Sequence, residues 1–410
     1  MKRLNRGMRC GLIAILIGFA PPLVHADVIA DWNEKACIVV GKVGPGAPGH
    51  RMMAIVQVSI YEAVNSIAGK YPPYQTKIDA APGASIDAAV AAAARKTLLA
   101  LMPAEQAAID SAYLSALSTQ PDSVAKADGI SVGEKAAAAI LARANNDGAT
   151  AADSYRPQTT PGVYVPTVVP AVPQWAKRTP WVMARPDQFR PGPPPSLTSD
   201  IWARDYNEVK ALGAKNSTQR TAQQTDIARF WEETRPLVYF PVVRSLASAA
   251  GRSVVENARL YAAVAMAADD ALIAVFDAKY AYNFWRPFTA IRNGDLDGNN
   301  ATERDPSWTP FITTPMHPEY PCAHCVASGA YGAVLAAEFG DKPPRKIVDS
   351  GSATAPGMVR EWNSLSEFME EVQMARIYDG VHYRNSNEIG TALGKRVGEL
   401  VNEKFLGVKR

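Results

Sequence analysis

The stretch of sequence that decides the fold lies at residues 253–284 and reads SVVENARLYAAVAMAADDALIAVFDAKYAYNF. It contains no proline and predicts one long helix. Further helices are predicted on both sides of it, at roughly 200–212, 221–234, 243–250, 325–339, 364–375 and 387–405. Because alternating strand patterns are scarce here, the chain from Asp200 onward is predicted to be helical.

The N-terminal third has a helical pattern as well. Residues 51–67 carry an apolar stripe at helical spacing, formed by Met53, Ile55, Val56, Ile60 and Val64. An Ala-rich run at 86–101 ends just before a proline, and helical patterns continue at 104–117 and 123–144. We therefore predict an all-α fold of helical bundles in one domain that spans residues 27–410, either as a single body or as two packed bundles.

Residues 148–199 differ from the rest, because prolines recur along them. This spacing disfavours a long helix and favours extended or turn structure. A linker between two domains is one interpretation. However, the segment also carries aromatic residues, which are uncommon in flexible linkers: Tyr155, Tyr164, Trp175, Trp181 and Phe189. We predict a long segment packed over one body.

The composition is that of an ordinary globular protein, with 47% hydrophobic and 20% charged residues in a chain of 410. Lys and Arg number 43 against 40 Asp and Glu, which gives a formal net charge of +3. Several of the basic residues lie at the very start of the chain, so the remainder is nearly neutral. A nearly neutral chain argues against general nucleic-acid binding, and any preference for an anion must come from local groups.

The first 26 residues have the pattern of a secretory signal. A basic start precedes an apolar stretch at 10–20, and Val24-His25-Ala26 offers a cleavage site before Asp27. The apolar stretch is shorter than the ~20 residues that a membrane-spanning helix needs, so an N-terminal anchor is the weaker interpretation. We expect an exported protein, periplasmic or secreted, without stable membrane insertion after cleavage.

Histidine and basic residues together mark a candidate site for chemistry. The set comprises Lys279, Arg286, His317, His324, Arg376 and His382. Two guanidinium groups, one ammonium group, imidazoles and the free N–H groups of a helix start suit a tetrahedral oxyanion. One histidine could attack or ligate the central atom while another moves protons. Any one of these residues alone would more simply be a surface cation or a core histidine.

Three motifs together resemble the signature of the vanadium-dependent haloperoxidase and type 2 phosphatidic acid phosphatase superfamily. They are Lys279-x6-Arg286-Pro287, Pro321-Cys322-Ala323-His324 and Arg376-x5-His382. The surrounding sequence, KYAYNFWRP at 279–287, AIR at 290–292 and HPEYP at 317–321, is similar to the haloperoxidase branch. The resemblance extends to YEAVN at 61–65 and so covers most of the mature chain.

The resemblance implies an all-helical fold that holds an oxyanion between helices. It implies that Lys279, Arg286 and Arg376 neutralise the oxygen atoms of vanadate or phosphate, next to Cys322 and Ala323. Vanadate is the implied cofactor of a haloperoxidase, whereas a phosphatase of this superfamily needs none.

The resemblance also assigns roles to the histidines. It implies that His382 is the axial vanadium ligand in a peroxidase or the phosphorus-attacking nucleophile in a phosphatase. It implies that His324 is the general acid and base. His317 and Trp285 are candidate pocket residues, with simple packing as the alternative for His317.

Two positions depart from the family pattern. Cys322-Ala323 replaces the Ser-Gly pair before the acid-base histidine, and Ser386 stands where an acidic residue often follows the last histidine. A thiol is a poorer hydrogen-bond donor than a hydroxyl, and Ala323 adds a methyl group where the oxyanion approaches. These changes could weaken vanadate binding, alter the chemistry or abolish it.

Cys322 and Cys325 form a Cys-x-x-Cys pair at a predicted helix start, and Cys37 is the third cysteine of the mature chain. A local disulfide is the simplest interpretation for an exported protein. A redox-active dithiol is the second, since helix N-termini lower the pKa of thiols. A metal site that includes His324 lacks a fourth ligand, and a disulfide between Cys37 and either thiol is also open.

The resulting prediction is an exported haloperoxidase-type enzyme that binds vanadate and oxidises halide with hydrogen peroxide, bromide rather than chloride. The runner-up is a phosphomonoesterase that uses a histidine nucleophile in the same pocket to cleave a phosphate ester. The third class is a non-oxidative binding protein or a thiol oxidoreductase that works through Cys322 and Cys325. The predicted partners are small molecules, and the oligomeric state does not follow from the sequence.

Overall fold

Helices dominate the structure, a computed structural model that describes residues 27–248 and 251–408. This part of the chain forms thirteen α-helices: α1 (Val28–Val40), α2 (Ala47–Ala68), α3 (Ile86–Leu101), α4 (Gln106–Ser118), α5 (Val124–Ala144), α6 (Asp200–Leu212), α7 (Ala222–Phe230), α8 (Pro236–Ala247), α9 (Val254–Tyr282), α10 (Pro287–Arg292), α11 (Ala323–Phe339), α12 (Leu365–Tyr378) and α13 (Arg384–Val401). An antiparallel hairpin joins β1 (Ile347–Asp349) to β2 (Arg360–Trp362). The predicted all-α fold is confirmed.

The predicted signal segment, residues 1–26, lies outside the described residues, so export stays a prediction. Among the helices that the structure describes, none is both long and apolar enough to cross a lipid bilayer.

Some predicted boundaries are wrong. The helix expected at 243–250 is α8, which already begins at Pro236, because a proline in the first helical position loses no hydrogen bond. The helix expected at 221–234 ends at Phe230, and the residues after it turn towards the candidate site. The short helices α1 and α10 and the β1–β2 hairpin were not predicted.

The central helix of the fold is α9. Its side chains are buried along nearly the whole length, and it packs against α2, α11 and α13. Ser253 and Glu256 form a capping box at its start, and Asn283 ends it in the left-handed conformation with φ 50°. Lys279 therefore lies in the last turn, at one end of the core.

Helices α11 and α13 approach each other closely because glycines line their contact. A Cβ atom on Gly394 would lie 2.0 Å from the carbonyl oxygen of Val326, and one on Gly390 would lie 2.7 Å from that of Cys322. No side chain fits at such distances, so glycine is required at both positions. The pairings show that the two helices run in the same direction, which brings the start of α11 beside the start of α13.

The Pro-rich segment at 148–199 contains no α-helix and lies against α9. The carboxylate of Asp270 accepts hydrogen bonds from the backbone N–H groups of Trp181, Val182 and Met183, at 2.6, 2.8 and 2.9 Å. The backbone N–H of Tyr164 donates to the carbonyl of Asn283 at 2.8 Å, just after α9. These bonds fix the segment along the second half of α9, from Asp270 to the end that carries Lys279.

Candidate oxyanion site

Three cationic side chains are buried where α9, α10 and α12 end or begin. Lys279 lies in the last turn of α9, Arg286 is the N-cap of α10, and Arg376 lies in the last turn of α12. Their exposed fractions are 0%, 1% and 0%. Burial of a charged group is costly unless it is paired, so the polar partners of each cation decide what the site can bind.

Lys279 and Arg286 are held mainly by carbonyl oxygens of the segment before α11. The ammonium group of Lys279 donates to the carbonyls of Pro318 and Glu319, at 2.9 and 2.8 Å. The guanidinium of Arg286 donates through Nε to the carbonyl of His317 at 3.0 Å and through Nη1 to that of Val381 at 2.8 Å. Neutral carbonyls orient these cations without cancelling their charge.

Burial lowers the pKa of both groups. The pKa of Lys279 lies well below its usual value, first because of burial and second because Arg286 is close. Burial also lowers the pKa of Arg286, to about 10. An anion placed between them would reverse these shifts, so both cations favour anion binding.

Arg376 has the feature that points most directly to a ligand. Its Nη1 donates to the carbonyl of Trp231 at 2.7 Å and to Oδ2 of Asp379 at 2.5 Å. Its Nε and Nη2 are buried and have no hydrogen-bond partner. These two nitrogens form one edge of the guanidinium, the edge that binds carboxylate, phosphate or vanadate through two parallel N–H bonds.

His382 lies between Arg286 and Glu319. Its Nδ1 is 2.7 Å from Oε1 of Glu319, and its Nε2 is 3.1 Å from Nη1 of Arg286. Because Arg286 can only donate, Nε2 must be the acceptor, and Nδ1 carries the proton that Glu319 accepts. The pKa of His382 lies well below its usual value because of burial and the nearby cations, Arg286 first among them. The neutral imidazole therefore offers the Nε2 lone pair, as a ligand or nucleophile requires.

Glu319 is the acidic residue that contacts His382. Its pKa is raised to about 7 by burial, against the charges of Arg286 and Lys279. Its Oε1 also accepts the backbone N–H of Tyr383 at 3.2 Å, whereas the buried hydroxyl of Ser386 has no hydrogen-bond partner among the described residues. Ser386 supplies no acid at this position, but the carboxylate of Glu319, from the segment before α11, contacts the His382 ring.

His324 lies in the first turn of α11, whose N-cap is Cys322. The hydroxyl of Thr234 lies 2.9 Å from Nδ1 and 3.0 Å from Nε2 of this ring. The pKa of His324 lies well below its usual value, because of burial first and of Arg376 second. A neutral histidine at the helix start can accept a proton once an anion offsets the surrounding cations.

His317 is part of the site, whereas Trp285 packs beside it. Nδ1 of His317 lies 2.9 Å from Nη2 of Arg286, and its ring meets Phe276 edge-on. The ring of Trp285 stacks on Trp202 with centroids 5.8 Å apart, and its buried indole N–H has no partner. His317 thus orients Arg286, while Trp285 belongs to the neighbouring aromatic cluster.

The cysteine pair lies at the start of α11. The backbone N–H of Cys325 donates to the sulfur of Cys322 at 3.2 Å, and both residues, like Cys37, are free thiols in the structure. Cys37 lies on α1, where its sulfur contacts Asn33. Within the described ranges, no three His, Cys, Asp or Glu side chains are arranged to hold a metal ion. The alternative metal site at Cys322, His324 and Cys325 therefore has no cluster to support it.

A surface cleft reaches the site through Arg286. Its volume is about 380 Å³, and it is lined by polar and aromatic side chains, among them Tyr164, Lys215, Phe288, Thr289 and Phe311. Arg286 is the member of the buried cation set that lines this cleft.

Three of the residues described above were not predicted: Thr234, Glu319 and Asp379. Glu319 lies in the quoted HPEYP motif, which was a usable signal, and Asp379 follows Arg376 at a helical spacing that favours pairing. Thr234 lies far from the motifs along the chain, and no sequence signal marks it.

The family comparison matches residues 259–408 to a model described as the VCPO second helical-bundle domain. The match includes all three cations and both catalytic candidates, His324 and His382. A curated relative, the vanadium chloroperoxidase of Curvularia inaequalis, is 26% identical over 279 residues. That alignment covers 52% of this chain and 45% of the relative, so the chain matches about half the length of the curated protein.

Two solved structures are similar over nearly the whole chain. One is described as the first bacterial vanadium-dependent iodoperoxidase, with a TM-score of 0.77, 25% identity, and coverage of 92% of this chain and 95% of that one. The other is an apo-type bacterial vanadium-dependent chloroperoxidase, with a TM-score of 0.71, 16% identity, and coverage of 88% and 94%. The second likeness shows the fold alone.

Proposed function

Because the chain belongs to the superfamily of vanadium-dependent haloperoxidases and type 2 phosphatidic acid phosphatases, we propose that it binds vanadate and oxidises halide with hydrogen peroxide. Bromide is the proposed halide, in preference to chloride. The observation that carries the proposal is the unpaired edge of Arg376, where buried Nε and Nη2 lack any partner.

The donor set fits vanadate. Arg376 offers two buried N–H groups, and Lys279 uses two of its three donors on carbonyls. Among the first N–H groups of α11, which have no carbonyl partner within the helix, that of Cys325 donates to the sulfur of Cys322. His382 offers Nε2 as the ligand to vanadium. Bound vanadate would supply a Lewis acid that activates hydrogen peroxide towards halide.

The chain's own residues hold charge and move protons. Lys279, Arg286 and Arg376 neutralise the negative charge of the bound oxyanion. Glu319 accepts the Nδ1–H of His382 and so keeps Nε2 unprotonated. His324 would take up a proton from hydrogen peroxide and give it back, while the hydroxyl of Thr234 holds its ring in place.

The test is peroxide-dependent bromide oxidation by the purified protein, with and without orthovanadate. We expect turnover only with vanadate, since the donors described above hold an oxyanion and supply no oxidant chemistry themselves. Parallel assays with iodide and chloride rank the three halides by their rates of oxidation. No halide oxidation in any arm would contradict the proposal.

A second candidate, a phosphomonoesterase, is favoured by the tautomer of His382. An unprotonated Nε2, whose lone pair accepts from Arg286 in this structure, is also what attack on phosphorus requires. In that case the protein hydrolyses a chromogenic phosphate monoester without added cofactor, and orthovanadate inhibits it. The same preparation thus separates the two functions, because vanadate activates one and inhibits the other.

We predict that Glu319→Gln lowers orthovanadate affinity and vanadate-dependent turnover by about 10- to 100-fold, the usual effect of removing a partner behind a ligating histidine. The amide keeps the size of the side chain but accepts the Nδ1–H without a negative charge, so Nε2 becomes less basic. Affinity is measured by calorimetry, and turnover by the bromide assay.

Asp297→Asn is the matched control for Glu319→Gln. Asp297 is also a buried carboxylate, bonded to Trp202 Nε1 at 2.8 Å and to the Thr302 hydroxyl at 2.7 Å. We expect this variant to bind and turn over like the original protein. Equal losses in both variants would mean that general loosening of the fold, and not the contact with His382, causes the effect.

A further inference from the structure

The two thiols at the start of α11 are arranged to react with each other. The sulfur of Cys325 donates to the sulfur of Cys322 with the two atoms 2.6 Å apart, and both residues are 0% exposed. Cys322 is fixed in this position from α13, because its backbone N–H donates to the carbonyl of Ser386 at 3.2 Å. The function proposed above uses neither sulfur as a redox group.

Cys322 also shares its surroundings with the oxyanion site. It is the N-cap of the helix that carries His324, and its sulfur takes the backbone N–H of Cys325. Burial acts to raise the pKa of this thiol, but the hydrogen bonds from Cys325 and the charges of Arg376 and Lys279 outweigh it and leave the pKa below its usual value. The lowered pKa makes Cys322 the more readily ionised thiol of the pair, at the start of the helix that carries His324.

We propose that Cys322 and Cys325 form a dithiol that hydroperoxides oxidise to a disulfide, and that this oxidation strengthens oxyanion binding at Lys279, Arg286 and Arg376. The inference rests on the proposed oxyanion-binding function of the site. It assigns the cysteine pair a regulatory reaction with the same oxidant class that the proposed enzyme consumes.

The reaction balances in two steps. The thiolate of Cys322 attacks one oxygen of hydrogen peroxide, an S–O bond forms, the O–O bond breaks, and the leaving hydroxide takes up a proton to become water. The sulfur of Cys325 then attacks the sulfenic sulfur, the S–S bond forms, the S–O bond breaks, and a second water leaves with the thiol proton. The two thiols lose two electrons, and the peroxide gains them.

Oxidation of the two thiols changes the charge and the hydrogen-bond acceptors around the oxyanion site. It removes the ionisable thiol of Cys322, which interacts electrostatically with Arg376 and Lys279, and it weakens the sulfur acceptor that occupies the N–H of Cys325. Both changes leave more positive potential at the helix start. We expect inorganic phosphate, used as the probe, to bind roughly tenfold or more tightly to the oxidised protein, within the usual range for coupled sites.

The oxidation is tested first, without any halide or vanadate. The reduced protein is treated with hydrogen peroxide, quenched with catalase, unfolded, alkylated and analysed by peptide mass spectrometry. We expect loss of two alkylatable thiols and one disulfide within the peptide that contains Cys322 and Cys325. Cys37→Ser is the control and should leave that disulfide unchanged, whereas Cys325→Ser should abolish it. Thiols at 322 and 325 that both stay alkylatable after peroxide would overturn the proposal.

Phosphate affinity is then measured by calorimetry on the disulfide form and on the form reduced with a phosphine. Circular dichroism checks that Cys325→Ser is folded, with Cys325→Ala as the second variant. In both variants we expect no disulfide-dependent gain in affinity. Equal phosphate affinity in the two redox forms would overturn the switch while leaving the proposed function intact. Phosphate that binds neither form would contradict the oxyanion site itself, and the switch with it.

Discussion

Replacing His382 by Ala should lower vanadate-dependent bromide oxidation by at least about a thousandfold, the scale of loss when a residue that touches the reacting centre is removed. The ring offers Nε2 to the site, and Glu319 and Arg286 hold it from either side. In the phosphatase case the same change removes the nucleophile, so turnover falls as steeply. The loss should lie in kcat and in orthovanadate affinity, because the ring that would hold vanadium is gone although the three cations remain.

Three measurements separate the chemistry of His382 from damage to the fold. Inorganic phosphate binding by His382→Ala should fall by less than about tenfold, since one hydrogen-bonding group out of several is lost. Added imidazole should restore part of the turnover by entering the space that the ring leaves. His50→Ala, which removes another buried histidine packed on Tyr239 and Tyr331, should keep its turnover and show no response to imidazole.

Retained turnover in His382→Ala would favour the alternative function, a thiol oxidoreductase that works through Cys322 and Cys325. If His382→Ala kept most of its turnover while Cys322→Ser and Cys325→Ser lost theirs, the reaction would run through the dithiol. The oxyanion enzyme proposed here would then be wrong, although the fold assignment would stand.

The sequence predicts those parts of this molecule that depend on local pattern. The bounds of α3 and α6 follow from apolar periodicity, capping residues and stop signals that lie within each helix. The bounds of α8 do not, because its start depends on Pro236 and on packing against distant segments. The hairpin of β1 and β2 has strands of three residues, too short for a periodic signal.

In the candidate site, too, local sequence predicts some residues and only the tertiary structure reveals others. The motifs name the cations and the two histidines, because the residue types and their spacing are retained in the sequence. The carboxylate partner of His382 lies 63 residues before it, and only the tertiary structure brings Glu319 to Nδ1. Ser386 therefore suggests a missing acid that the fold supplies from another segment. Thr234 was missed for the same reason, since its contact with His324 needs the loop between α7 and α8 to meet the start of α11.

Arg376→Ala is expected to cause the largest combined loss of binding and stability. The guanidinium supplies the unpaired Nε and Nη2 to the oxyanion and also pairs with Asp379, both residues being fully buried. Without the arginine, Asp379 is a buried carboxylate that has lost its cation. Removal of one partner of a buried ion pair costs about 3–5 kcal/mol, so the free energy of unfolding in urea should fall by that amount. Phosphate binding should fall below detection by calorimetry.

A second substitution separates the two effects. In Arg376→Ala combined with Asp379→Asn, no buried charge is left without a partner, so most of the lost stability should return while phosphate binding stays absent. Arg51→Ala is the matched stability control, because Arg51 is equally buried and pairs with Asp147 and Asp269 at 2.8 and 2.7 Å. It should unfold more easily yet bind phosphate when folded. Phosphate bound by the stabilised double variant as tightly as by the original protein would mean that the edge of Arg376 is not the anion-binding group.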